Sequence, residues 1–179
     1  MKKINEMTAN IDEVEIFEMP QMKLVGREVR CGGPDFLNNK AKELWEIILE
    51  DGSFEIIKSL PSIIPGAMMA WTGNYTGEDE TYSYIIGKFV PFDTPVPKGF
   101  SGRLLPATLV AKGIYGQGYS MINTYKSWGY TQNYELFGWN AEVVFENDPD
   151  AHDWYHFCEK KQWTNISPVK KIDVPEACI

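Results

Sequence analysis

Apolar and polar residues alternate through Trp139-Asn140-Ala141-Glu142-Val143-Val144-Phe145, a run rich in β-branched and aromatic residues without Gly or Pro, and this predicts a β-strand. Strand side chains point to opposite faces in turn, so Trp139, Ala141, Val143 and Phe145 share an apolar face, and Asn140, Glu142 and Val144 share the other. On a solvated face Glu142 is an ordinary surface carboxylate; lining a cavity, it is the principal charge of the chain. Upstream, an extended segment from Val14 to Arg30 is interrupted near Pro20. The turn Cys31-Gly32-Gly33-Pro34 follows, and Pro34 suits the first position of a helix. Leu37, Ala41, Leu44, Trp45 and Ile48 then recur at helical spacing up to Gly52. Strands are predicted at 66–71 and 81–90, separated by a polar turn from Thr72 to Glu80, and Pro91 to Pro97 reads as a connector.

The second half repeats this plan. Leu109 to Tyr115 echoes Leu24 to Arg30, and each runs into a Gly-rich turn. A second helix is predicted from Ser120, a suitable N-cap, with Met121, Tyr125 and Trp128 on one stripe. The strand at Trp139, a polar loop and a last strand around Trp163 to Lys171 complete the series. The fold class expected is α+β: duplicated βαββ units forming one antiparallel sheet, with both helices on one face. The Trp139 face is expected to meet the helices and the Glu142 face to be helix-free. The boundaries expected are a tail over 1–12, one domain over 13–172 with repeats at about 14–90 and 100–171, and a tail over 173–179.

The length of 179 residues is one domain's worth, enough to bury a core. Six Trp, nine Tyr and nine Phe exceed what one small core requires, which points to aromatics on a surface or in a pocket. A net charge of −8 without basic runs repels phosphate backbones, so direct binding of DNA or RNA is not expected, whereas cationic ligands are attracted. Cys31, Cys158 and Cys178 match no C-x-x-C pattern and read as free thiols. With no signal-peptide pattern and no run of ~20 apolar residues, the expected location is the cytoplasm, away from membranes.

Most familiar chemistries find no support. The Gly-rich turns fit neither G-x-G-x-x-G nor the P-loop pattern, and no cofactor is expected. His152 and His156 are four apart, with Cys158 and Glu159 near, but no second ligand cluster closes a metal site. A G-x-S-x-G elbow is missing. What remains is Glu142 and Asn140 with the aromatic residues Trp71, Tyr82, Tyr84 and Tyr115 on neighbouring elements. A carboxylate beside such rings suits a flat organic cation, each cation–π contact contributing about 0.5–2 kcal/mol.

The chain resembles the gyrase-inhibitor-like (GyrI-like) effector-binding domains, which also serve as ligand-sensing parts of multidrug-responsive transcription regulators. The resemblance spans about Val14 to Lys171. It rests on the doubled plan and on Glu43-Leu44-Trp45, Tyr82-Ser83-Tyr84-Ile85-Ile86-Gly87, Pro97-Lys98-Gly99-Phe100, Leu105 to Ala111, and Asn123-Thr124-Tyr125 with Trp128. The family's Pro-x-Phe-Glu-x-Tyr strand is matched at Glu142, with Trp139, Ala141 and Val144 replacing its Pro, Phe and Tyr. The resemblance implies a receptor for small hydrophobic, cationic molecules whose cleft lies on the helix-free face beside Glu142. No helix-turn-helix is expected, since only two long helices are readable and the sheet needs both, so any regulation would need a separate transcription factor. Two alternatives follow from the same resemblance: a hydrolase of reactive cyclopropane-bearing natural products, with Glu142 acting on water beside Tyr84 or Tyr115, and an inhibitor that binds a protein of the gyrase type.

Overall fold

The computed structural model describes residues 15–32, 39–76, 81–114 and 134–160. Eight strands form one sheet: β1 (Glu15–Met19), β2 (Met22–Gly32), β3 (Ala67–Thr76), β4 (Thr81–Pro91), β5 (Ser101–Leu105), β6 (Thr108–Ile114), β7 (Tyr134–Phe145) and β8 (Asp148–Lys160). Two helices, α1 (Lys40–Glu50) and α2 (Ser53–Ser59), lie between β2 and β3. The strand order is β1-β6-β8-β7-β3-β4-β2-β5, with every pairing antiparallel. β3 and β7 are the central pair. β1 leads into β2 yet pairs with β6, and β5 leads into β6 yet pairs with β2, so each short edge strand clasps the other half of the chain.

The α+β class and the single antiparallel sheet are as expected; several elements are not. Gly52 takes φ +80° and ends the predicted helix, and α2, which the sequence reading missed, starts at once with Ile57 buried. Asp51 secures this break: its carboxylate accepts the Ser53 backbone N–H at 2.9 Å and Arg27 Nη1 from β2 at 2.8 Å. β3 continues to Thr76, through residues read as a turn, and β5 occupies a stretch to which no strand was assigned. The polar loop before the predicted strand at 163–171 is itself a strand, β8, in spite of Asp148-Pro149-Asp150, because β6 and β7 supply partners along both of its edges. The predicted strand at 163–171, the helix from Ser120 and Pro34 to Leu37 lie outside the described residues.

The sheet's two faces bury different partners. One face carries Met22, Leu24, Met69, Trp71, Ile85, Phe89, Trp139, Ala141, Val143 and Tyr155 in one core cluster that takes residues from all eight strands and, among the described residues, none from a helix. The sheet therefore curls around its own apolar side, and the Phe89 and Trp139 rings meet edge to face at 5.6 Å. Gly26 and Gly87 face each other across β2 and β4, where a Cβ on either would run into the other strand's backbone. On the opposite face Leu44 and Ile48 of α1 and Ile57 of α2 pack on Met68 and Ile86. Lys88, with its side chain 5% exposed, points the same way and donates to the Lys58 carbonyl (2.9 Å) and to Glu146 (3.2 Å).

For α1 and α2 the face differs from the one expected. In the cross-strand register Glu142 stands opposite Ala70, and Ala70 opposite Ile86, so Glu142 shares the face onto which α1 and α2 pack. Among the described residues the Trp139 face packs against other strands; the second predicted helix, from Ser120, lies outside them. Alternation sorts side chains into two sets, and the tertiary structure decides which set α1 and α2 cover.

Candidate functional site

On the helix side, two rows of side chains cross the middle of the sheet. One runs Ile86, Ala70, Glu142 and the other Tyr84, Thr72, Asn140, from β4 through β3 to β7. The middle strand contributes only Ala70 and Thr72 here, small residues between larger ones on either side. β3 thus sets a strip of small side chains between Tyr84 and Ile86 of β4 and Asn140 and Glu142 of β7. Ala70 and Ile86 in this strip are buried, and Glu142 and Thr72 are partly buried.

Hydrogen bonds hold the Tyr84 side and the Asn140 end of this strip. Trp45 on α1 donates its indole N–H to the Tyr84 hydroxyl at 3.2 Å, which pins the helix to this side. Asn140 donates to the Tyr75 hydroxyl at 3.3 Å, and Tyr75 donates to Thr72 Oγ1 at 3.1 Å. The Tyr75 and Tyr82 rings lie 5.7 Å apart. Tyr75 joins this face because Asn74 takes φ +52° where the β3–β4 register shifts, which breaks the strand's alternation. Gly138, at φ +74° within a register shift between β7 and β8, sits just before the strand's regular run through Asn140 and Glu142.

The electrostatics follow from this enclosure. Burial pushes the Tyr84 phenol above the usual tyrosine range; the Trp45 hydrogen bond opposes the shift, and the charge of Glu142 adds to it. Burial likewise raises Tyr82, with Cys31 and Tyr75 adding to the effect. The Cys31 thiol, free and buried, is raised by the same cause, against the pull of Lys40.

No family model matches the sequence, and no curated protein matches it. Solved structures do match the fold. A candidate transcription-regulation protein from Staphylococcus aureus MU50 superposes with a TM-score of 0.60 at 11% identity, covering 84% of this chain and 99% of that one. SAV2435, in a structure bound to tetraphenylphosphonium, superposes with a TM-score of 0.62 at 11% identity, covering 83% of this chain and 94% of that one. The chain has the GyrI-like effector-binding fold.

Within this GyrI-like sheet the predicted site residues divide. Glu142, Asn140, Tyr82 and Tyr84 share the helix-side face. Trp71 does not: it is 2% exposed in the core on the other side, its ring against Gly73 and its indole N–H without a hydrogen-bond partner among the described residues. Tyr115 lies outside the described residues. Sequence reading missed Tyr75 and Trp45 as site residues. Tyr75, 56% exposed, sat in what looked like a polar turn, and Trp45 was read only as part of a helix stripe. His152 and His156 stand on β8 opposite Val144 and Asn140; four residues along a strand span about 13 Å, unlike the single helical turn that a shared metal needs. Among the described residues no group of His, Cys, Asp and Glu could hold a metal, and no helix is long and apolar enough to cross a membrane. A hollow of about 500 Å³ between Leu60-Pro61 and the Pro91–Pro97 connector lies apart from these residues, with Asp93 as its one ionisable side chain.

Proposed function

We propose that this protein binds small, hydrophobic, aromatic cations in a groove above β3, as a GyrI-like ligand sensor or sequestering protein. The observation that carries this reading is the placement of Glu142 across a floor of Ala70 and Thr72 from Tyr84, with Asn140, Tyr75 and Tyr82 at one end. A flat cation laid over the small floor residues meets the Tyr faces while Glu142 balances its charge, and both attractions strengthen where water is thinned. The overall charge of −8 draws such ligands toward the protein. The tetraphenylphosphonium bound to SAV2435, a protein of the same fold, is a compound of this class. The order β6-β8-β7-β3-β4-β2 supports two βαββ halves related across the β3–β7 pair, with the ligand near that junction. In this reading the role is cytoplasmic, and a transcriptional response passes through a separate DNA-binding partner.

Calorimetric titration with tetraphenylphosphonium and with neutral triphenylphosphine oxide tests the reading. Glu142→Gln is expected to weaken the cation by about 2 kcal/mol, the charge–charge attraction at roughly 8 Å and an effective dielectric constant near 20, and to leave the neutral compound nearly unchanged. Thermal stability without ligand stays equal or rises slightly, since the variant removes a partly buried charge. Equal losses for both compounds, or no binding of the cation by the wild type, overturn the reading. Mass analysis after incubation with a cyclopropane-bearing electrophile separates receptor from hydrolase: the receptor returns it intact.

A further inference from the structure

We propose that Tyr75 is a specificity-determining residue of this binding site: held on the helix side of the sheet by an irregularity in β3, its ring selects cations whose aryl group stands roughly 7–13 Å from the charged centre. The inference rests on the binding function proposed above and adds the ligand geometry that the site favours.

Regular alternation sends Tyr75 to the core side with Trp71 and Gly73, and Asn74 to the helix side with Ala70 and Thr72. The structure exchanges the two. Asn74 takes φ +52° where the β3–β4 register shifts. Its side-chain oxygen accepts Arg103 Nε at 3.3 Å, and its carbonyl accepts Arg30 Nη1 at 3.0 Å. Arg103 also binds Glu28, which stands opposite the core residue Ile85. Tyr75 is thereby turned to the helix side, where its hydroxyl donates to Thr72 Oγ1 at 3.1 Å and accepts Asn140 Nδ2 at 3.3 Å. Its ring lies 5.7 Å from that of Tyr82, tilted by 35°. Three contacts thus fix a side chain that is still 56% exposed. A ring held in this way has little rotamer freedom left to lose when a ligand covers it.

Register sets how far this ring stands from the charge. Glu142, Ala70 and Ile86 form one row across the strands, Asn140, Thr72 and Tyr84 form the next, and Tyr82 belongs to a third. Successive rows on one face are two residues apart, about 7 Å. The Tyr75 hydroxyl is anchored in the second row and its ring meets Tyr82 of the third. The ring therefore lies between about 7 and 13 Å from the Glu142 row. Tetraphenylphosphonium keeps its rings close to the phosphorus and, seated at Glu142, stops short of Tyr75. A cation that carries its aryl group on a longer arm reaches it.

Trimethylammonium compounds bearing a phenyl ring on one to eight methylenes read this spacing in calorimetric titrations, with ring-free alkyltrimethylammonium compounds of matched length as controls. The readout is the wild-type affinity divided by that of Tyr75→Ala. It is expected to stay below about twofold for one methylene, for the controls and for tetraphenylphosphonium. From five methylenes upward, where the ring passes the Asn140 row, it should reach about three- to tenfold. A ratio that is flat along the series, at any value, overturns the proposal, as does an equal rise in the ring-free controls. Normal binding of tetraphenylphosphonium by both proteins beside such a flat ratio leaves the binding function standing. Failure of the wild type to bind tetraphenylphosphonium overturns the binding function and this proposal together. Should Tyr75→Ala fold poorly, Tyr75→Leu, which keeps apolar bulk without ring or hydroxyl, is judged by the same ratio.

Discussion

The two faces of β3 use the same strand to opposite ends. Ala67, Met69 and Trp71 project into a core closed by all eight strands, whereas Met68, Ala70 and Thr72 project to the helix side, and only Met68 of these is covered by the helical cluster. The core side carries the bulky Trp71, and beside it on the helix side stand the small Ala70 and Thr72. A sheet that closes on its own apolar face does not need a helix over every residue of the other face. The small residues beyond the helical cluster, buried Ala70 and half-buried Thr72, then lie between an aromatic row and an acidic one. Binding and stability are thereby divided between alternate residues of one strand.

The division can be broken first from the core side. Trp139→Ala removes a side chain 4% exposed that packs on Phe89 and Phe157. The expected cost is about 3–5 kcal/mol, a fall in Tm on the order of 10 °C, read by thermal unfolding. Affinity for tetraphenylphosphonium, measured well below that transition, should change little. A binding loss as large as the stability loss would mean that the two faces are coupled.

Filling the floor is the complementary change. Ala70→Ile raises the groove bed between Ile86 and Glu142. Crowding is expected to cost about 1–3 kcal/mol of stability, since Ala70 is only 7% exposed. Cation and neutral affinity should both fall at least about tenfold by steric exclusion, ~1.4 kcal/mol. Undiminished binding in calorimetry would place the ligand elsewhere. A loss shared by both ligands also sharpens the contrast with Glu142→Gln, which acts on charge alone.

The smallest effect concerns a charge at the margin of the core face. Glu28 accepts from Arg103 Nη2 at 2.6 and 2.7 Å, and Arg103 also reaches Asn74. Burial pushes the Glu28 carboxyl up, but hydrogen bonds from Ser83 and Ser101 and the Arg103 charge together outweigh it and hold the group below its ordinary value. A carboxyl lowered by folding contributes stability above its unfolded pKa, about 4.3, and loses it as pH falls through the folded value. Glu28→Gln should lower Tm at pH 7 by a few degrees, roughly 1 kcal/mol after solvent screening. The gap to the wild type should hold above about pH 5 and close below about pH 4. A gap independent of pH would assign the effect to packing rather than to ionisation.

Local rules made part of this molecule legible from the sequence alone. Alternation from Trp139 to Phe145 established that Glu142 and Asn140 share a face, and the same rule paired Tyr82 with Tyr84, because side-chain direction in a strand depends on parity alone. Helical spacing found Leu44 and Ile48, both buried as expected. The tertiary structure alone decided which parity faced the helices, since either face of an amphipathic strand can be buried by a helix or by the curl of its own sheet. It also decided that Trp71 belongs to the core and Tyr75 to the helix side. Cross-strand register and one positive-φ residue, Asn74, set those relations, and neither is written in the hydrophobic pattern. β8 ran through an apparent turn because two neighbours offered hydrogen-bonding edges, which outweighs local propensity. The contact of Trp45 with Tyr84 spans 39 residues of chain and joins a helix to a strand, so it exists only once the helix has docked.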